Sequence, residues 1–374
     1  MTEYRMALPG EEEQLLDFIN MVFSQLRVPH DFEALLPKVY AHPGFSRYHA
    51  AALEDGRLRA TIALLPETLR VTEDHLLKIG YIGSVSTHPK ARGQGHMKAL
   101  MQMLLEQARA RQMDFLALGG QRQRYGHYGF EKGCAQAVLT VTRKNMSAAL
   151  NPAENMRLVP IAAQDAALLK AAHALCARQP MTCLREEARF GEIMRTYKGQ
   201  LYALLKENAF EGYMYVHENH IAELALCREN DIDAALKAWL AERSETSIAV
   251  PLHCRQRLAA LQRYAEEVSL QDSQMLLILN WQRVLSACFA LACASRPMAD
   301  GCLTVEIAGE GAWSIRMQGQ KCKIATAEGP AEVRFTPAQA VTAFFSAASP
   351  LLCDHPLLRD WLPLSLNVPV PDQF

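Results

Sequence analysis

The spacing of apolar and polar residues in the first part of the chain predicts alternating strands and helices. Two stretches carry apolar residues on one helical face, at residues 11–23 and 97–108. Short apolar or alternating runs predict strands at residues 48–53, 58–65, 79–87, 114–118 and 137–141. Glu54-Asp55-Gly56 predicts a hairpin turn between the first two strands. These elements predict an α/β domain over residues 1–147, closing near residues 143–151.

A second segment, residues 148–277, repeats this order of elements. Strands are predicted at 201–205, 212–216, 221–227 and 248–252, and helices at 232–243 and 255–265. Where the first segment has a glycine turn before its helix, the second has Arg228-Glu229-Asn230-Asp231-Ile232. Acidic side chains without glycine cannot cradle a phosphate. We therefore expect a degenerate copy that does not bind a cofactor.

The last segment, residues 278–374, differs in pattern and predicts a separate α+β domain. Helices are predicted at 281–294 and 337–347, and strands at 303–307, 313–317, 322–325 and 332–335. The tail, residues 364–374, contains Pro369 and Pro371, so it should be extended and should not join a central strand.

Composition narrows the class of protein. A chain of 374 residues exceeds the usual size of one core, so two or three domains are expected. The formal net charge of −1 gives no field that would gather a nucleic acid. The start of the chain lacks a basic flank before an apolar core, and no long uncharged apolar run follows, which predicts a cytoplasmic protein without a membrane partner.

Cysteine and histidine spacing argues against metal and disulfide frameworks. The ten cysteines lie between Cys134 and Cys353 and never form a Cys-x-x-Cys pair, so reduced buried thiols are expected. The histidines lack paired helical spacing and matching acidic partners. No metal site is predicted.

The segment with the clearest chemistry is the turn Arg92-Gly93-Gln94-Gly95-His96-Met97, between a predicted strand and a predicted helix. Glycines allow close approach of the backbone, and free N–H groups with the helix dipole favour a bound anion such as a pyrophosphate. A tight strand-to-helix connection is an equally good interpretation of the turn alone. A Walker loop would need Gly-Lys-Ser/Thr, and Lys98 replaces the third Rossmann glycine, so both nucleotide alternatives fail.

A second motif, Tyr125-Gly126-His127-Tyr128-Gly129-Phe130, follows about thirty residues later. Together the two motifs resemble the GCN5-related N-acetyltransferase (GNAT) superfamily, whose acetyl-CoA loop reads Arg/Gln-x-x-Gly-x-Gly/Ala and whose later segment reads Tyr-x-x-x-Gly-Phe. Arg92 and Gly95 match, whereas Met97 departs from the pattern, so its contacts with a pyrophosphate would come from the backbone.

The whole chain resembles the Eis (enhanced intracellular survival) family of that superfamily, in length, motif-poor second copy, final α+β domain and C-terminal phenylalanine. The resemblance implies two tandem GNAT-like domains, only the first of which binds acetyl-CoA, followed by a sterol-carrier-protein-like domain. It also implies a homo-oligomer, a hexamer in that family.

The resemblance assigns the chemistry to two residues. Tyr125 would be the acid that protonates the leaving thiolate, and the terminal carboxylate of Phe374 would be the base that accepts the proton of the amine. A frayed chain end is the alternative interpretation of the tail. The cofactor-binding residues expected are Val85, Ser86, Thr87, Arg92, Gly93, Gln94, Gly95, His96, Met97, Gly120 and Gln121.

Other residues in and beside the two motifs are expected to bind or pack rather than to transfer protons. Arg92 either contacts phosphate or is solvated. His96 is expected to contribute only its N–H, His127 to lie at the surface or behind the site, and Tyr128 to pack. Backbone groups of Val85 and Thr87 are expected to pair with the pantetheine amides like an added strand.

These assignments predict an acetyl-CoA-dependent N-acetyltransferase acting on a primary amine of a small cationic substrate. The alternatives are a coenzyme A-sensing or lipid-carrier protein without catalysis, and a non-catalytic assembly protein. A polycationic substrate such as an aminoglycoside would need an acidic pocket, for which Asp31, Glu33, Asp372 and the carboxylate of the chain terminus are the candidates. Gln373 adds no charge beside Phe374, which argues against such a substrate.

Overall fold

The computed structural model describes residues 2–25, 28–147 and 156–374. In the first part of the chain every predicted helix and strand is present, and β3, β4 and β6 are longer than predicted. The strands are β1 Thr2–Met6, β2 His49–Glu54, β3 Arg57–Thr72, β4 His75–Thr87, β5 Phe115–Leu118 and β6 Glu131–Thr142. The helices are α1 Glu12–Ser24, α2 Phe32–Leu35, α3 Pro37–Tyr40, α4 His96–Ala110, α5 Arg122–Tyr125 and α6 Arg143–Ser147.

Local chemistry explains the boundaries of these elements. The predicted hairpin turn joins β2 to β3, and its two central residues, Asp55 and Gly56, have φ of 48° and 75°, the left-handed pair that two-residue hairpins require. β1 was not predicted, because its exposed edge position leaves it polar. The predicted end of the first domain, near residues 143–151, falls partly outside the described residues.

The second part of the chain contains the predicted strands, and both predicted helices, at 232–243 and 255–265, end three residues earlier than predicted. Its strands are β7 Met156–Pro160, β8 Thr182–Cys183, β9 Gln200–Lys206, β10 Ala209–His217, β11 His220–Leu226, β12 Glu245–Pro251 and β13 Ala265–Ile278. Its helices are α7 Ala166–Cys176, α8 Phe190–Ile193, α9 Ile232–Leu240 and α10 Arg255–Gln262. The helix predicted to reach residue 265 ends at Gln262, because the strand β13 begins there instead.

The last part contains α11 Trp281–Ser295, β14 Gly301–Ile307, β15 Gly311–Gln318, β16 Lys321–Thr326, β17 Val333–Phe335, α12 Pro337–Phe345 and α13 Pro356–Trp361. A capping box between Thr336 and Gln339 fixes the start of α12. The tail forms no strand, as its prolines predicted, and ends in a single 3₁₀ turn at Val370–Asp372.

Among the described residues, thirteen strands form one mixed sheet in the order β1-β2-β3-β4-β5-β13-β6-β12-β11-β10-β9-β7, with β8 added beside β3. β13 joins the two halves, because it pairs antiparallel with both β5 and β6. The strands β9, β10 and β11, the helix α9 and the parallel strand β12 repeat the order β2, β3, β4, α4 and β5. β14 to β17 form a separate four-stranded sheet.

The largest hydrophobic cluster connects the first and last parts of the chain. It includes Ile19 of α1, Phe115 of β5, Trp281 of α11, Phe344 of α12 and Phe374 of the tail. Burial of this many large apolar side chains in one cluster ties the two parts together. No helix in the described ranges is long and apolar enough to cross a bilayer.

Candidate active site

A cleft opens where β4 and β5 separate. The two parallel strands pair from Ile79 opposite Phe115 to Ile82 opposite Leu118. β5 then ends, while β4 continues to Thr87. In the described part of the chain no strand pairs with residues 83–87 on this side, so the edge of β4 is available to a ligand's amides.

A bulge in β4 produces this separation. The pairing with β3 shifts between Ala63 opposite Gly83 and Thr61 opposite Ser86, so β4 has one residue more than β3 there. Ser84 lies in the bulge with a φ of 48°. A hydrogen bond of 2.6 Å between its Oγ and the hydroxyl of Tyr40 holds this conformation.

The predicted glycine turn lies at one end of the cleft, directly before α4. Gly93 and Gly95 have φ of 79° and 84°, and a Cβ added at either would meet no atom within 4 Å. Both glycines are therefore needed for backbone conformation and face open space. Gly95 is the N-cap of the fifteen-residue α4, so the free N–H groups of a long helix begin there.

His96 is fixed within this turn. The residue is buried, its Nδ1 lies 3.0 Å from the Tyr4 hydroxyl, and its Nε2 lies 3.2 Å from Oε1 of Gln94. Both ring nitrogens are thus engaged by neighbours. Arg92, by contrast, is exposed beside the turn.

One cavity of about 890 Å³ contains most of the residues that the sequence predicted for the site. Its lining includes Val85, Thr87, Arg92, Gly93, Gly95, His96, Met97, Gly120, Gln121, Tyr125 and Phe374. Ser86 and Gln94 do not line it. The Ser86 hydroxyl is buried and donates to the carbonyl of Ser84, and Gln94 points to Lys90 and His96.

Tyr125 lies at the end of α5, where its ring packs on the backbone of Gly120. A Cβ at Gly120 would lie 2.3 Å from Cε2 of Tyr125, so glycine is required by this contact. Tyr125 is 6% exposed, and burial raises the pKa of its phenol. A tyrosine phenol is protonated at neutral pH, and burial favours that form further, so the hydroxyl is present as a proton donor. His127 is exposed, and Tyr128 is half-buried and packs against the apolar cluster beneath the site.

Phe374 closes the opposite side of the cavity. Its ring packs on Gly83, where a Cβ would lie 1.9 Å from the ring atom Cδ1. It also makes edge-to-face contacts with Tyr40 and His49, at centroid distances of 6.0 and 6.4 Å. The tail is therefore docked, and Phe374 is 8% exposed.

Charged groups from distant parts of the chain hold the tail in place. The Arg185 guanidinium donates to Asp372 from Nε (2.9 Å) and Nη2 (2.8 Å) and also binds both carboxylate oxygens of Glu223. Burial alone would lower the pKa of Arg185, but the two carboxylates outweigh it and raise that pKa well above its usual range. Lys38 Nζ donates to the carbonyl of Pro371 at 2.6 Å.

The equivalent region of the second half has no glycine turn. Glu229–Asp231 form a 3₁₀ turn before α9, Glu229 is bound by Arg257, and Asp231 is bound by Arg228. Ion-paired carboxylates thus precede α9, where the first half has two glycines before α4. The absence of cofactor binding in this copy stays a prediction.

Sequence reasoning missed several residues that shape the site. Lys38 and Arg185 belong to no motif and act on the tail through contacts between distant parts of the chain. No role in the site was predicted for the aromatic residues of α1 and α2 that line the cavity. Among the described residues no group of three or more His, Cys, Asp and Glu side chains could hold a metal ion.

A strand bulge, a cleft between splayed parallel strands and a glycine turn at a helix start thus meet in one cavity. Residues 3–133 match the model of the acetyltransferase (GNAT) domain. This part of the chain is thus a GNAT acetyltransferase domain.

Solved structures extend the likeness to the full length of the chain. A GCN5-related N-acetyltransferase from Anabaena variabilis has a TM-score of 0.69 at 15% identity, and Eis1 from Mycobacterium abscessus has 0.68 at 13%, each covering 100% of both chains. A GCN5-related N-acetyltransferase from Kribbella flavida has 0.65 at 17%, covering 100% of this chain and 99% of its own. The TM-scores establish a shared fold, and at these low identities the likeness extends to the fold alone. A search of curated proteins found no match.

Proposed function

We propose that the protein transfers an acetyl group from acetyl-CoA directly to a primary amine. The observation that carries this proposal is the single cavity that joins the free edge of β4, the glycine turn, Tyr125 and Phe374. Acetyl-CoA would supply an activated acetyl group as a thioester. Its fit rests on the two glycines that face open space and on the unpaired edge of β4.

The binding residues divide by chemistry. N–H groups at the start of α4 would hold the pyrophosphate, with Arg92 beside them. Backbone groups of Val85 and Thr87 would pair with the pantetheine amides, and an N–H in this region would stabilise the developing oxyanion. Gly120 and Gln121 line the cavity near Tyr125.

Two residues would move protons. The Phe374 carboxylate, directly or through water, would accept a proton from the ammonium, because a primary amine is mostly protonated at neutral pH and cannot attack in that form. The amine nitrogen then bonds to the acetyl carbon as the carbon–sulfur bond breaks. The Tyr125 phenol would donate its proton to the departing sulfur, which gives the free thiol. The bonded nitrogen would then lose its second proton, through water, to the Tyr125 phenolate, which gives the neutral amide and restores the phenol.

Amine-dependent release of free thiol from acetyl-CoA tests the proposal. Tyr125→Phe should lower turnover at least about tenfold, the usual range for a lost general acid, and leave coenzyme A binding unchanged. Gly126→Ala is a matched control, because a Cβ there meets no atom within 4 Å and the backbone is helical. A parent protein that binds acetyl-CoA but releases no thiol with any amine would instead favour a coenzyme A sensor or lipid carrier.

Deletion of Phe374 tests the base. The shortened chain should bind coenzyme A and lose turnover, and a fully active shortened chain would exclude the terminal carboxylate from the reaction.

We also propose, from the family resemblance, that the last domain is sterol-carrier-like and that the chain assembles as a hexamer. Light scattering in solution would measure the number of chains in the assembly.

A further inference from the structure

The acceptor end of the cavity lies opposite the glycine turn and differs from it in chemistry. Two arginines, Arg92 and Arg124, lie at the cofactor end. The other end is formed by α1, the segment leading into α2, Tyr197 and the tail. Its side chains are Val22, Phe23, His30, Phe32, Leu35, Leu36, Tyr197 and Phe374.

Three aromatic residues of this wall, Phe23, Phe32 and Phe374, are linked in a row through Tyr40, which does not itself line the cavity. Phe23 meets Phe32 edge to face at 4.8 Å between centroids, Phe32 meets Tyr40 at 5.8 Å, and Tyr40 meets Phe374 at 6.0 Å. Edge-to-face packing holds each ring in one orientation and presents apolar surface to the cavity. A preformed apolar wall binds a ligand with little loss of side-chain freedom.

Among the described residues, no Asp or Glu side chain lines the cavity. The proposed mechanism adds one carboxylate, that of the terminal residue Phe374. The acids nearest in sequence have other roles. Asp31 caps α2 by accepting from the N–H of Ala34, and Glu33 is exposed. Asp372 is held by Arg185. A polycation would therefore find one carboxylate at the reaction centre and no partner for its remaining charges.

We infer that the amine acceptor is a monoamine with an apolar, preferably aromatic, body, such as an arylalkylamine. The single amine would meet the Phe374 carboxylate, and the body would lie against Phe23, Phe32 and Tyr197. This inference rests on the proposed acetyl transfer. It specifies which amines the site accepts.

The test compares acetyl-CoA-dependent thiol release with four amines: 2-phenylethylamine, ethylamine, spermine and kanamycin. Burial of a phenyl ring should give 2-phenylethylamine a kcat/KM roughly 30-fold above ethylamine, and both polycations should fall below it. Preference for spermine or kanamycin would overturn the inference and leave acetyl transfer standing. Release with none of the amines by a protein that binds acetyl-CoA would overturn both.

A specificity change gives an independent measurement. Phe23 is half-buried at the cavity wall, so Phe23→Glu should add an acid facing the acceptor, lower kcat/KM for 2-phenylethylamine at least about tenfold and raise that for spermine. Phe210→Glu is the matched control, because this half-buried phenylalanine packs in the second half away from the cavity. Equal ratios of the two substrates in both variants would contradict an acceptor wall at Phe23.

Discussion

The substitution Asp372→Asn tests whether the anchored tail completes the active site. The Asp372 carboxylate is 3% exposed and accepts two hydrogen bonds from Arg185, itself 1% exposed, at 2.9 and 2.8 Å. Asparagine keeps one acceptor oxygen but turns an NH₂ group towards a donor. One hydrogen bond to a charged group is lost, about 1.5–3 kcal/mol, and a buried donor is left without a partner, about 1–3 kcal/mol.

We therefore expect about 3 kcal/mol less stabilisation of the docked tail, which corresponds to roughly a 150-fold change in its docking equilibrium. Turnover should fall at least about tenfold, because the terminal carboxylate would spend less time at the cavity. The acetyl-CoA dissociation constant should change less than about twofold, because Asp372 does not line the cavity.

The assays are steady-state thiol release, titration of acetyl-CoA and urea unfolding. Asp354→Asn is the matched control. Asp354 also pairs with an arginine, Arg359, at 3.0 Å, but it is fully exposed and should leave stability and turnover unchanged. Parental turnover and parental unfolding in Asp372→Asn would refute the tail anchor.

Two further perturbations test the site and its surroundings. Gly83→Ala should lower turnover and leave acetyl-CoA binding intact, because the added Cβ would displace the Phe374 ring. Gly119→Ala is the control and should be neutral, because a Cβ there meets only the Tyr81 hydroxyl, at 3.8 Å. Burial lowers the pKa of His49 from 6.5 to about 3, so its contribution to stability is complete above pH 6.5 and is lost as the pH falls towards 3. The free energy of unfolding, measured by urea titration, should therefore fall between pH 7 and 4 by up to about 1.4 kcal/mol per pH unit from this group, and should fall less steeply in His49→Gln.

Periodicity located most elements of the first part because those elements bury one face. α4 repeats its apolar residues at helical spacing, and β5 is apolar throughout. β13 was not predicted because its first ten residues, 265–274, are mostly polar and exposed. These residues pair with β6 and not with β5. Its position in the sheet is set by pairing with β6, a partner more than a hundred residues away in the chain.

The candidate site likewise has one part that local sequence predicts and another part that depends on tertiary packing. Local motifs identified the glycine turn and Tyr125, because backbone conformation and short-range packing define them. The contacts of Phe374 with Gly83 and Tyr40 depend on tertiary packing, and no spacing rule predicts them. The tail was placed at the active site by family resemblance alone.

The residues that anchor the tail come from both halves of the chain. Lys38 belongs to the first part of the chain, Arg185 and Glu223 belong to the second, and Gln274 of β13 donates to the carbonyl of Val368 at 2.7 Å. None of these four residues lines the cavity that the tail closes.

In the proposed mechanism, placement of the terminal carboxylate therefore requires that both halves be assembled around the tail. Loss of an anchor should lower the rate at saturating substrates and spare cofactor affinity, since the cofactor end of the cavity is built only from the first half. Loss of the glycine turn should do the opposite. The second half would thus serve catalysis without binding a cofactor, by supplying the arginine that holds Asp372.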